Sequence, residues 1–184
     1  MARRKPAPET AVVSPTPSLP PPTSAPSKRT LAPSASSPND RGVRYLTVQD
    51  VIDLHTAVSA EFGGNQAHPG EVDSQFALLS AVQRPQITTF GRDAFPTFEQ
   101  KAAVMITAIV QQCPFRGGNR RVALAVLVAF CALNGRALDS RIFDEKTAET
   151  LLRRAGSYQD LGLRPEDVFA ELRDVLGKAI TSEG

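Results

Sequence analysis

The residues best suited to chemistry stand together at 113–121: Cys113-Pro114-Phe115-Arg116-Gly117-Gly118-Asn119-Arg120-Arg121. They run directly into twelve consecutive apolar residues, Val122 to Leu133. Read as a helix start, this places two arginines where the helix macrodipole already carries partial positive charge. Cations are unfavourable there unless an anion joins them. Free N–H groups, glycines and arginines at a helix N-terminus suit a phosphate. The plain alternative for Arg120 and Arg121 is a solvated helix start, and the surrounding loop favours the anion site.

Cys113 precedes this loop at a place suited to a base, and three readings compete for it. It is an inert replacement, a thiolate activated by the helix N-terminus and nearby arginines, or a nucleophile. A nucleophile needs a partner base, and the only histidines are His55 and His68. His55 falls beside the apolar stripe of a helix and reads as structural, and His68 falls in a polar loop and reads as solvated. Cys131 lies within the apolar run and reads as core. Glu71 and Asp73 are acids in a loop, either solvated or spare metal ligands. Arg153 and Arg154 complement a helix C-terminus.

The elements that must position these groups follow from periodicity and stop signals. Residues 1–43 form a Pro/Ser/Ala-rich basic tail. Its first 42 residues hold ten of the fifteen prolines and no aromatic residue. Such a segment cannot bury enough apolar surface to offset its ordering entropy, so disorder is expected, with polyproline character at Pro20, Pro21 and Pro22. The tail carries a net charge of +4, against +2 for the whole chain, which leaves the body slightly acidic. The body therefore gives no charge signal for nucleic-acid binding. No leader with an apolar core is evident, and the apolar run at 122–133 is short of the ~20 residues that span a bilayer. Two cysteines on or beside one helix do not readily pair. A reduced, cytoplasmic protein is expected.

The body, 44–184, predicts an all-α fold. Thr47 caps a first helix, with Asp50 completing a capping box and Gly63 ending it. Asp73 or Ser74 caps a second, which Arg84-Pro85 stops. Ile87-Thr88-Thr89-Phe90 predicts a short extended flap. Thr97 caps a third helix whose apolar stripe includes Ala103, Ile106 and Val110, with Thr107 as a polar residue beside it. A fourth runs from Asn119 to Leu133 and is apolar all round, so it is expected at the centre. Thr147–Arg154 and a helix opening at Pro165 complete a compact bundle of about six helices.

The loop resembles the signature of the Fic/Doc superfamily, His-Pro-Phe-x-Asp-Gly-Asn-Lys-Arg. Tyr45-Leu46-Thr47-Val48-Gln49-Asp50-Val51-Ile52, Arg84-Pro85-Gln86 and Phe95-Pro96-Thr97 resemble the death-on-curing (Doc) branch. Leu124 adds to this, because Fic adenylyl-transferases usually carry a further arginine there. The resemblance spans roughly 44–136. It implies a compact helical fold, ATP or another nucleotide as ligand, and transfer of a phosphate or nucleotidyl group to a protein hydroxyl. For the Doc branch it implies a translation elongation factor as target and a partner antitoxin. It carries over Gly118, Asn119, Arg120 and Arg121 as phosphate-binding residues and Phe115 as the buried anchor of the loop. The two chemical positions depart from it. Cys113 replaces the histidine base, and a free thiol is a poorer base near neutral pH. Gly117 replaces the carboxylate that holds Mg²⁺, and glycine offers no side-chain oxygen.

Three functions follow as expectations. The first is a toxin-type Doc-like protein with its transfer chemistry impaired or changed. The second is a non-catalytic module that binds a nucleotide or a phosphorylated partner. The third is a thiol-dependent enzyme using Cys113.

Overall fold

The computed structural model describes residues 42–63 and 68–182. The proline-rich tail expected over 1–43 lies outside them except for its last two residues. Six α-helices and two small antiparallel strand pairs, joined by turns and loops, form the described residues.

Helix α1 spans Val48–Phe62. Thr47 Oγ1 accepts the Asp50 N–H, and the Asp50 carboxylate accepts the Thr47 N–H at 2.7 Å. That is the reciprocal capping box expected from Thr47 and Asp50. The innermost stripe of α1 is Val51, His55 and Ser59. Two of these three positions are polar, so this buried face does more than fill space.

Helix α2 spans Gln75–Gln83 and is capped by Ser74, whose Oγ accepts the Ala77 N–H. Pro85 ends it in a short 3-10 turn at Arg84–Gln86. The expected flap is a hairpin of β1 (Thr88–Thr89) and β2 (Arg92–Asp93). Phe90 and Gly91 both take positive φ at its tip, as the tight right-twisting hairpin turns require. Asp93 anchors the flap. Its carboxylate lies 3.1 Å from Lys101 Nζ, and both side chains are almost wholly buried. The same ammonium donates to Pro85 O at 3.1 Å. A buried cation needs such partners, since desolvation alone would be prohibitive.

Helix α3 spans Phe98–Gln112 and is capped by Thr97 and Gln100. Every residue from Lys101 to Val110 on it is buried. Thr107 is among them, and its hydroxyl has no hydrogen-bond partner among the described residues. Helix α4 spans Asn119–Leu133. The expectation that α4 is the central helix is corrected here. It buries one face, through Val122, Ala123, Val126, Leu127, Phe130 and Cys131, while Val128 on the other face is half exposed. The centre is α3, packed between α2, α4, α5 and α6. An apolar run cannot say which neighbours cover it.

Strand β3 (Arg136–Leu138) follows α4. Helix α5 spans Glu145–Gly156 and α6 spans Pro165–Ala179. Asp144 caps α5 by accepting the Thr147 N–H at 2.8 Å, so the helix begins two residues before the expected Thr147. Strand β4 (Ile180–Ser182) returns to pair antiparallel with β3, Ala137 opposite Thr181. No local alternation announced this pair, because each strand is three residues long and its partner is distant in sequence. No helix among the described residues is long and apolar enough to cross a membrane.

Candidate functional site

The site is built where α3 ends and α4 begins. Cys113 ends α3 in the left-handed region (φ 45°, ψ 59°), its N–H bonded to Ile109 O. A non-glycine residue there costs roughly 1–2 kcal/mol. Pro114 makes the exit obligatory, since it cannot continue the helix. The thiol is exposed, and Sγ donates to Val110 O at 3.3 Å. Neither His55 nor His68 is bonded to it, so the partner base that a nucleophilic cysteine needs is not supplied by either.

The loop from Pro114 to Gly118 is clamped on three sides. The first clamp is the segment before α2. Asp73 and Ser74 both donate their N–H groups to Pro114 O, and Val72 pairs with Phe115. Outside it, Arg116 bonds Glu71 at 2.8 Å, and Glu71 bonds His68 at 2.7 Å. The Arg116 guanidinium beside Glu71 holds that carboxyl below its ordinary range. Glu71 and Asp73 therefore brace the loop from outside, and neither lines the cavity described below.

The second clamp is Asn119. Its Oδ1 accepts the Phe115 N–H at 3.0 Å, and its Nδ2 donates to Phe115 O at 2.8 Å. The third is His55, stacked flat on Phe115 with ring centroids 4.0 Å apart and an interplanar angle of 6°. Phe115 is buried, as its reading as the loop anchor requires.

Gly118 precedes α4 with φ +71° and offers no side-chain cap. The first-turn N–H groups of α4 are thus left without a side-chain acceptor. An αL residue followed by αR residues turns successive N–H groups into one concavity, a shape that binds anions. Gly118, Asn119, Arg120 and Arg121 all line one open cavity of about 490 Å³, with Cys113, Val110, Arg153, Gly156 and Ser157. Arg121 keeps one N–H on Phe62 O at 2.7 Å, closing the C-terminus of α1. Arg120 and Arg121 also border a second hollow with Leu124, Glu145 and Glu149. Cys131 sits apart in the core, where burial pushes its thiol up to about 11.

Arg153 stands in the last turn of α5, as expected of a cation that complements a helix C-terminus, and the fold gives it a second place. The packing of α5 against α3 carries it into the cavity beside Arg120 and Arg121, while Arg154 turns away to Glu171 at 3.1 Å. Close approach of the two helices is possible because Gly156 lacks a Cβ, which would lie 3.3 Å from Val110 O. The pair Arg153-Arg154 offered no signal for which of them faces inward.

Mg²⁺ does not fit these residues. The cavity lining contains no carboxylate, and no three His, Cys, Asp or Glu among the described residues gather as a metal site. Mg²⁺ takes hard oxygen ligands, whereas this wall presents guanidinium groups and a thiol.

A helical fold with a buried phenylalanine in an arginine-bearing loop at the head of an apolar helix defines a class, and comparison agrees with it. The Fic/DOC family model matches residues 45–131. A curated protein named Toxin Doc, from Mycolicibacterium smegmatis, is 34% identical over 137 residues, covering 74% of this chain and 97% of that protein. The chain belongs to the Fic/DOC family, and within it is Doc-like.

Proposed function

We propose that this protein is a toxin-type Doc-like protein that binds the phosphates of a nucleotide at Gly118–Arg121, with its transfer chemistry impaired or altered. The observation that carries this reading is the cavity wall itself. It combines the first-turn N–H groups of α4, three arginines from two helices and no carboxylate. Arginines and oriented N–H groups recognise phosphate oxygens through charge-assisted bonds. The same wall carries no carboxylate to hold Mg²⁺. Cys113 stands where a base would act, and its thiol is bonded to a carbonyl.

The name of the Mycolicibacterium relative supports a toxin role, and with it neutralisation by an antitoxin; a cytoplasmic translation factor as target rests on the resemblance of the loop to the Doc branch. The test is transfer from labelled ATP to elongation factor Tu in the presence of Mg²⁺. The native chain is compared with the double variant C113H/G117D. The expected result is little label from the native chain and a gain from the double variant. Robust transfer by the native chain overturns the impaired-chemistry reading.

A non-catalytic binding module is the second reading, favoured by the acid-free wall. It predicts nucleotide binding by calorimetry in both proteins and transfer by neither.

A further inference from the structure

Among the described residues, His55 is the one buried titratable group at the site that the proposed function leaves without a role. Its ring is almost fully enclosed. The Gly70 N–H donates to Nδ1 at 3.0 Å, so Nδ1 is the acceptor nitrogen and Nε2 carries the hydrogen. Nε2 then donates to Gly117 O at 2.9 Å, with Ser59 Oγ taking a share at 3.2 Å. A carbon added to Gly118 would lie 3.7 Å from the same Nε2, so the ring sits directly beneath that residue.

The Gly117 C=O and the Gly118 N–H belong to one peptide plane, and no peptide bond in the described residues is cis. In a trans peptide the two groups point in opposite directions. Gly117 and Gly118 tolerate more backbone conformations than any other pair would, so this peptide is free to flip unless something holds it. We infer that His55 is a positioning residue for the anion site. By holding the Gly117 carbonyl down onto α1, it turns the Gly118 N–H away from α1, to the side on which Gly118 borders the cavity. The inference rests on the anion-site reading for its purpose, but the orientation itself is measurable without a ligand.

The bonds of the imidazole can be separated by substitution. Glutamine carries an amide nitrogen at the same bond count from Cα as Nε2, and so keeps the hold on Gly117. Asparagine carries an oxygen at the count of Nδ1, and so keeps only the bond from Gly70. The experiment is ¹⁵N relaxation on the ligand-free full chain, with urea midpoints measured alongside. The Gly118 N–H order parameter is expected near the rigid value of about 0.85 in the native chain and H55Q, and below about 0.6 in H55N. H55F, which keeps the ring stack but neither bond, serves the same comparison should H55N fail to fold.

Pyrophosphate affinity by calorimetry is expected to fall about 10-fold in H55N and to change less than about 3-fold in H55Q, since one oriented N–H to a phosphate oxygen is at stake. Equal order parameters in H55Q and H55N, whatever their stability, overturn the positioning role. If the native chain binds neither pyrophosphate nor ATP, the anion-site reading falls, and the order parameters still decide what His55 holds.

Discussion

Asn119 grips Phe115 by both its backbone groups, donating to the carbonyl at 2.8 Å and accepting from the N–H at 3.0 Å. The first residue of α4 thereby ties off the loop that precedes its own helix. An alanine there leaves two backbone groups of a buried residue unpaired. N119A is expected to lower unfolding free energy by about 1–3 kcal/mol. Urea denaturation measures it, and an unchanged midpoint would mean that the loop finds other partners.

Arg153 reaches the cavity from α5, and among the described residues no side-chain bond holds it elsewhere. On the proposed anion-site reading, removing this exposed cation weakens binding without disturbing the core. R153A is expected to reduce ATP affinity about 3- to 10-fold with no change in melting temperature. R154A, which removes the partner of Glu171, serves as the contrast and should leave affinity unchanged. If both variants bind ATP like the native chain, Arg153 takes no part in the site.

The two cysteines differ in what a thiol reagent meets. Cys113 is exposed at the end of α3. Cys131 is enclosed, and burial raises its thiol to about 11, so at pH 8 it is both hidden and protonated. One equivalent of a disulfide reagent should react with the folded protein and a second only in denaturant. The C113S variant should show no labelling until it unfolds. Early labelling in C113S would place Cys131 within reach of solvent.

Acid sensitivity should report on Asp139. Arg141 bonds both its carboxylate oxygens through the guanidinium and adds its backbone N–H, holding the carboxyl down to about 2 from an ordinary 3.8. A carboxylate depressed in the folded state contributes stability above its unfolded value and loses it as pH falls through the folded one. Between about pH 4 and pH 2 the native urea midpoint should therefore fall more steeply than that of D139N. The caps at Asp50 and Asp144 are depressed in the same sense, by their bonds to Thr47 and Thr147. Parallel curves for the native chain and D139N would remove Asp139 from the acid response.

Much of this protein was legible in the chain because the signals are local. Thr47, Ser74 and Thr97 cap helices through N–H groups three residues away, and Pro85 and Pro114 end them by their own rings. The backbone of the loop from Cys113 to Arg121 was legible for the same reason, since proline, glycine and asparagine act there within one turn.

What the chain could not declare depends on partners distant along it. The apolar run of α4 looked central, yet burial is decided by which helices cover a face, and they cover α3. Arg153 is the helix-end cation its position announced, but only the packing of α5 across α3 at Gly156 places it in the same cavity as Arg121. His55 was legible as a structural histidine, but not as the ring beneath Gly117 and Gly118, 62 residues on. Sequence determined the local backbone and the chemistry available. Tertiary packing decided which side chains share the cavity, because a side chain's neighbours are set by packing of the whole core and not by its position in the chain.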